Sequence, residues 1–200
     1  MPKASLVVLI SGGGSNLQSI IDAIQNRQLN AEIKAVISNK ANIYGLKRAQ
    51  EANINTHIVE HQQFPSREAF DQAMIDIIDP LKPDLVILAG FMRILSKAFI
   101  EHYQHRLLNI HPSLLPKYKG LNTHQQAIDN QDETHGASVH YVSHELDSGP
   151  VVIQTEVPVL ADDTTETLAG RVLHEEHKIY PLAIQMHAEG RLSFKDNILK

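Results

Sequence analysis

A chain of 200 residues with 42% apolar and 20% charged side chains has the composition of one folded domain with a sizeable core, which excludes disordered, collagen-like and coiled-coil chains. Its net charge of −5 argues against a general nucleic-acid binder, because neutralising phosphates takes clustered Lys and Arg. With no cysteine, disulfides, thiolate metal ligands and a cysteine nucleophile are ruled out.

Ala4 to Ile10 is a short apolar run that predicts a buried strand. It is too short for a signal-peptide core, and no stretch reaches the roughly 18 apolar residues of a membrane span. A cytoplasmic chain is therefore expected. A glycine-rich turn follows, then a helix with Leu17, Ile20, Ile21 and Ile24 at helical spacing. Ala31–Ser38 predicts a strand, Ala41–Ala52 a helix and Thr56–Val59 a third strand. Ser66–Ile78 predicts a helix with Phe70, Met74, Ile77 and Ile78 on one face, stopped by Pro80 and Pro83. Asp84–Ala89 and Leu107–Ile110 predict two more strands. Beyond His111 come a long loop through Pro116 and Gly120, and a short helix over Thr123–Asn130. Gly136–Ser143 and Pro150–Val157 read as an antiparallel pair, Thr164–His187 as a long helix with Pro181 near its end, and Arg191–Lys195 as a last edge strand. Strands that read as continuously apolar and alternate with helices belong in a parallel sheet covered on both faces. The expectation is an α/β, Rossmann-like single domain over 1–200. It has a mostly parallel central sheet, an antiparallel portion in the C-terminal half and helices on both faces. Residues 1–111 form a nucleotide-binding-like half and 112–200 an elaborated half.

Ser11-Gly12-Gly13-Gly14-Ser15-Asn16 sits between strand and helix, where unsatisfied N–H groups and the positive end of the helix dipole attract anions. Ser15 or Asn16 is expected to cap the helix and to donate to phosphate oxygens. The turn lacks the Lys-Ser/Thr ending of a triphosphate loop. A dinucleotide site would carry glycine at position 17, which is Leu17, and an acid where Asn39 stands. A monophosphate fits better than ATP or NAD; a tight turn without ligand is the alternative.

Asn109 and His111 are two apart on a strand and share a face, with Pro112 ending the strand. An amide donor beside an imidazole suits stabilisation of an oxyanion, although a satisfied interior pair has the same spacing. A carboxylate is needed to orient and charge the imidazole. Asp147 is the candidate, with Glu145 or a more distant acid left open. His135, His140 and His144 lack a completing set of ligands, so no metal is expected.

Four segments carry a resemblance. Leu108-Asn109-Ile110-His111-Pro112-Ser113-Leu114-Leu115-Pro116-Lys117-Tyr118 looks like the signature of the folate-dependent formyltransferases. His135-Gly136 through Leu146-Asp147-Ser148-Gly149-Pro150 is similar to that family's second motif. Ile10 to Leu17 and Ala89-Gly90-Phe91-Met92-Arg93-Ile94-Leu95 narrow the likeness to the branch that formylates glycinamide ribonucleotide in purine biosynthesis. The resemblance covers nearly the whole chain and implies a formyltransferase fold. It also implies 10-formyltetrahydrofolate as co-substrate, with no metal, nucleic acid or membrane partner.

The same resemblance implies roles. Asn109 and a protonated His111 would stabilise the oxyanion. Asp147 would hold His111 in its useful tautomer, keep it charged and help relay a proton through water. Gly14, Ser15 and Asn16 would hold the substrate phosphate, and Glu176 would receive its amine. Met92, Arg93, Ile94 and Leu95 would line the folate site together with Asn109. Ser143, His144, Glu145, Leu146 and Asp147 would enclose the pteridine. Arg67 and Arg93 would face the glutamate tail. Leu88, Phe99 and Leu107 fit an apolar wall or core packing equally well. Leu173 departs from the polar or basic residue of many relatives, and Gly13 replaces an asparagine of some. The isomer of Leu115-Pro116 stays open. The family's hydrolase usually carries an extra N-terminal domain, and its tRNA-formylating branch a C-terminal domain and a basic surface, neither of which is expected here.

Overall fold

Strand β1 (Ala4–Ile10) is flanked on both sides by parallel partners, and Leu6 to Ile10 are fully buried. Only apolar side chains tolerate that position, since an interior parallel strand meets helices on both faces. The computed structural model describes residues 2–192, 194–195 and 198–199. After β1 come α1 (Ser15–Gln25), β2 (Ala31–Ser38), α2 (Tyr44–Glu51), β3 (Thr56–Ile58), α3 (Arg67–Ile78) and β4 (Leu85–Leu88). The chain continues with α4 (Lys97–His102), β5 (Leu107–His111), α5 (Thr123–Asp129), β6 (Thr134–Tyr141), β7 (Val151–Pro158) and α6 (Thr165–Ala188). Seven strands form one sheet in the order β3-β2-β1-β4-β5-β6-β7, with helices on both sides. The chain falls into two compact units, Met1–Leu108 and Asn109–Lys200.

In the first unit, β1 pairs in parallel with β2 and β4, and β2 with β3. The Ser66 hydroxyl caps α3 by accepting the Ala69 N–H at 3.1 Å. Helix α2 begins at Tyr44, three residues later than its pattern predicts. Helix α4 has no counterpart in the sequence reading. Its six residues are too few for a periodic stripe, and it is held by the Ser96 hydroxyl, which caps the Phe99 N–H, and by burial of Phe99 and Ile100.

In the second unit, β6 and β7 form the expected antiparallel pair, with a register shift between Val139 and His140. Helix α6 packs on both strands through a stripe that includes Leu168, Val172, Ile179, Tyr180 and Ile184. Thr164 and Thr167 form a reciprocal capping box at its start. Arg171 grips Asp163 through two bonds of 2.7 and 2.8 Å, which holds that carboxyl well below the usual carboxylate range. Pro181 lies inside the helix. The Leu115-Pro116 peptide is cis.

The expected edge strand over Arg191–Lys195 is corrected. Ser193 lies outside the described residues, and β8 (Phe194–Lys195) pairs with β9 (Ile198–Leu199) in a separate two-stranded sheet. Pairing residues so close in sequence closes a much shorter loop than docking on the main sheet would. Among the described residues, no helix is long and apolar enough to cross a membrane.

Candidate active site

The glycine turn of the first unit ends on Gly14 in the left-handed conformation, φ 71°. A Cβ there would lie 2.7 Å from the Gly45 Cα. The turn is therefore pressed against α2, whose Gly45 N–H donates to the Gly12 carbonyl at 3.1 Å. Arg48 adds a bond from its Nε to the Gly13 carbonyl at 2.9 Å while its guanidinium stacks over Tyr44. The expected side-chain cap is corrected here. Gly14 occupies the capping position, Ser15 opens the helix, and no side chain caps α1. A left-handed glycine brings no side chain to do so. The dipole end of α1 thus meets the turn without an internal capping group, which is the arrangement that favours a phosphate.

Ser11 connects this turn to the Met92–Leu95 segment. Its hydroxyl donates to the Asn39 side-chain oxygen at 2.6 Å and accepts the Met92 N–H at 2.8 Å. Asn39, which stands where a dinucleotide site would carry an acid, is thereby committed to supporting the turn. Met92 and Ile94, on either side of Arg93, are 65% and 61% exposed and leave two large apolar side chains open on this segment. Leu95 turns inward, and Arg93 and Arg67 are exposed. The far end of the segment is anchored by buried Asp71, which accepts the Ser96 N–H at 2.5 Å.

In the second unit, Asn109 and His111 emerge from β5 on one face. His111 is 5% exposed, and both ring nitrogens meet acceptors. Nε2 lies 2.9 Å from the Tyr118 carbonyl and so carries a proton, because a carbonyl only accepts. Nδ1 lies 3.5 Å from the Asp147 carboxylate. That carboxylate also accepts the Gly120 N–H at 2.9 Å. Asp147 has φ 47°, a left-handed conformation that aspartate adopts more readily than most residues. Between the two acids left open by the sequence, geometry places Asp147 against His111. Glu145 points outward and pairs with Lys119 at 3.2 Å.

The sequence reading missed three contributors. Tyr118 and Gly120 act through backbone groups, for which side-chain chemistry gives no signal. His140 is 1% exposed on β6, with Nε2 3.2 Å from Asn109 Nδ2 and 3.7 Å from Asp147. Its inward place on a strand was the available signal. His135 pairs instead with His124 at 3.1 Å, and burial pushes it down to about 4. Among the described residues, no group of three or more His, Cys, Asp or Glu side chains is placed to hold a metal ion.

The sequence matches the formyl transferase family over residues 4–184. This chain belongs to that family. A phosphoribosylglycinamide formyltransferase of Escherichia coli K12 is 56% identical over 193 residues, covering 96% of this chain and 91% of its own length. The solved structure of the Coxiella burnetii phosphoribosylglycinamide formyltransferase superposes with a TM-score of 0.95 at 53% identity, covering 98% of this chain and 92% of that one. Glycinamide ribonucleotide transformylase 1 of Symbiobacterium toebii gives 0.96 at 41% identity, covering 99% and 93%.

The remaining candidate residues of this formyltransferase lie on α6 and on the loop after β6. Glu176 is buried on α6, and Leu173 is half-buried on the same helix. In the loop, the Ser143 hydroxyl donates to the Glu145 carbonyl at 3.1 Å, His144 is exposed, and Leu146 is 54% exposed.

Proposed function

We propose that this formyltransferase moves the formyl group of 10-formyltetrahydrofolate to the amine of glycinamide ribonucleotide, a cytoplasmic step of purine biosynthesis. The observation that carries the reading is the cluster of Asn109, His111 and Asp147, built at the family's motif positions in a chain 56% identical to the E. coli phosphoribosylglycinamide formyltransferase.

The residues suit both substrates. Gly14, Ser15 and Asn16 face the phosphate with a helix N-terminus, and Glu176 receives the glycinamide amine. Exposed Met92, Ile94 and Leu146 suit a flat, largely apolar ring system, which fits a folate, and Arg67 and Arg93 suit its carboxylate tail. 10-Formyltetrahydrofolate supplies the formyl carbon on a nitrogen that leaves as the amine of tetrahydrofolate. As the new C–N bond forms, negative charge builds on the formyl oxygen. Asn109 donates an amide N–H to that oxygen, and His111 opposes its charge as a cation. Asp147 orients the imidazole, and with water it passes the proton lost by the attacking amine to the departing nitrogen.

The test compares glycinamide ribonucleotide with water as formyl acceptor. Transfer to the ribonucleotide amine is expected; release of formate alone overturns the reading in favour of a hydrolase. In the same assay, Ser15→Ala is expected to raise KM for glycinamide ribonucleotide more than KM for the folate. Equal weakening of both would move the phosphate away from this turn.

A further inference from the structure

We propose that His140 is a positioning residue for formyl transfer: it fixes which way the Asn109 amide faces by accepting one of its two N–H groups, leaving the other for the oxygen that gains charge. The proposal rests on the functional reading above and adds a group that the Asn109–His111–Asp147 set does not contain.

The hydrogen-bond partners decide the tautomer. His140 Nδ1 lies 3.0 Å from the Tyr141 carbonyl, which only accepts, so Nδ1 carries the proton. Nε2 lies 3.2 Å from Asn109 Nδ2, which only donates, so Nε2 offers its lone pair. A neutral imidazole has one donor and one acceptor, and both are used. Turning the amide over would set its oxygen against that lone pair, losing a hydrogen bond and adding repulsion between two acceptors. Burial disfavours the charged form and lowers the His140 pKa, with a smaller push from nearby His111, against the opposing effects of the Tyr141 carbonyl and Asp147. A protonated His140 would donate from Nε2 and compete with the amide for that position.

The local backbone serves the same end. The β6–β7 register shifts between Val139 and His140. Such irregularities re-aim a side chain and recur beside active sites. Here the residue immediately after the shift is the one that meets Asn109.

Two measurements test the proposal. In steady-state kinetics, His140→Ala is expected to lower kcat by about tenfold or more, with both KM values within about twofold of the parent. His140→Gln, which can present a carbonyl oxygen to the amide, is expected to recover part of the loss. In an Asn109→Ala background, His140→Ala is expected to change kcat by less than about twofold, since the amide it positions is gone. Additive losses, or a normal kcat in His140→Ala, overturn the proposal. An Asn109→Ala enzyme with undiminished kcat would instead defeat the functional reading itself. Independently of activity and of any variant's folding, 15N spectra of histidine-labelled parent protein should show His140 as the neutral Nδ1–H tautomer at neutral pH. An Nε2–H tautomer or an imidazolium overturns the inference.

Discussion

His111→Ala is expected to lower kcat by about 10²–10³ with both substrates saturating, while KM values change little. The imidazole is nearly buried and is held at both nitrogens, by the Tyr118 carbonyl at 2.9 Å and by Asp147 at 3.5 Å. Holding the ring at two points spares the reacting system the cost of ordering it later, which is how preorganised groups favour the transition state over the ground state. The formyl oxygen bears little charge in the bound substrate and much more as the amine adds. Removing the ring therefore removes an interaction made mainly at the top of the barrier. Asn109→Ala should act on the same charge, so combining the two should cost less than the sum of the single losses on a free-energy scale. A His111→Ala enzyme with near-normal kcat would leave this histidine a purely structural role and sink the proposed chemistry.

Gly149→Ala should be damaging for a different reason. A Cβ on Gly149 would lie 1.7 Å from the Tyr141 carbonyl oxygen, inside any permissible contact. The two backbones run this close because the Tyr141 N–H donates to the Pro150 carbonyl at 2.9 Å, closing the base of the loop that carries Asp147. The Tyr141 backbone does not yield readily, since Tyr141 ends a run of seven consecutive buried residues on β6. The expected loss of stability is about 3 kcal/mol. Displacement of Asp147 by about 1 Å would lower kcat by about 10²-fold in the protein that still folds. Denaturant midpoint and kcat are to be measured on the same preparation. Parent values for both would show that the loop absorbs the methyl group without moving Asp147.

These two residues show how unevenly the molecule could be read from its sequence. β1 and β2 match the expected ranges, because a continuous apolar run bounded by glycine or polar residues leaves a parallel strand little alternative. The antiparallel pair and α6 were legible within a residue or two for the same reason of length. Helix α4 was not, since one turn of helix carries too few residues to show a period. At the site, Asn109 and His111 stood out because alternation puts them on one face of a short strand. Asp147 was a candidate from the residues alone, but only the family resemblance separated it from Glu145 or a more distant acid, because a loop residue's direction depends on backbone angles that no periodicity encodes. The contacts of His111 with Tyr118 and of Asp147 with Gly120 use main-chain atoms common to every residue type. The capping role expected of Ser15 or Asn16 failed because the left-handed Gly14 moved the helix start, a choice made by packing against Gly45.

The order of strands also divides the work of assembly. β1 meets β4 across most of the first unit, and contacts near their amino ends join residues 79 positions apart, as in the bond from the Ser5 N–H to Asp84. β6 and β7, by contrast, are neighbours along the chain and join at Tyr141 and Pro150. The entropy lost in closing a loop grows by only about 0.6 kcal/mol for each doubling of its length, yet it must be met before any contact rewards it. Asp147, the acid beside His111, is thus carried by a local hairpin, whereas the glycine turn at the end of β1 depends on a pairing that requires nearly half the chain to have been gathered first.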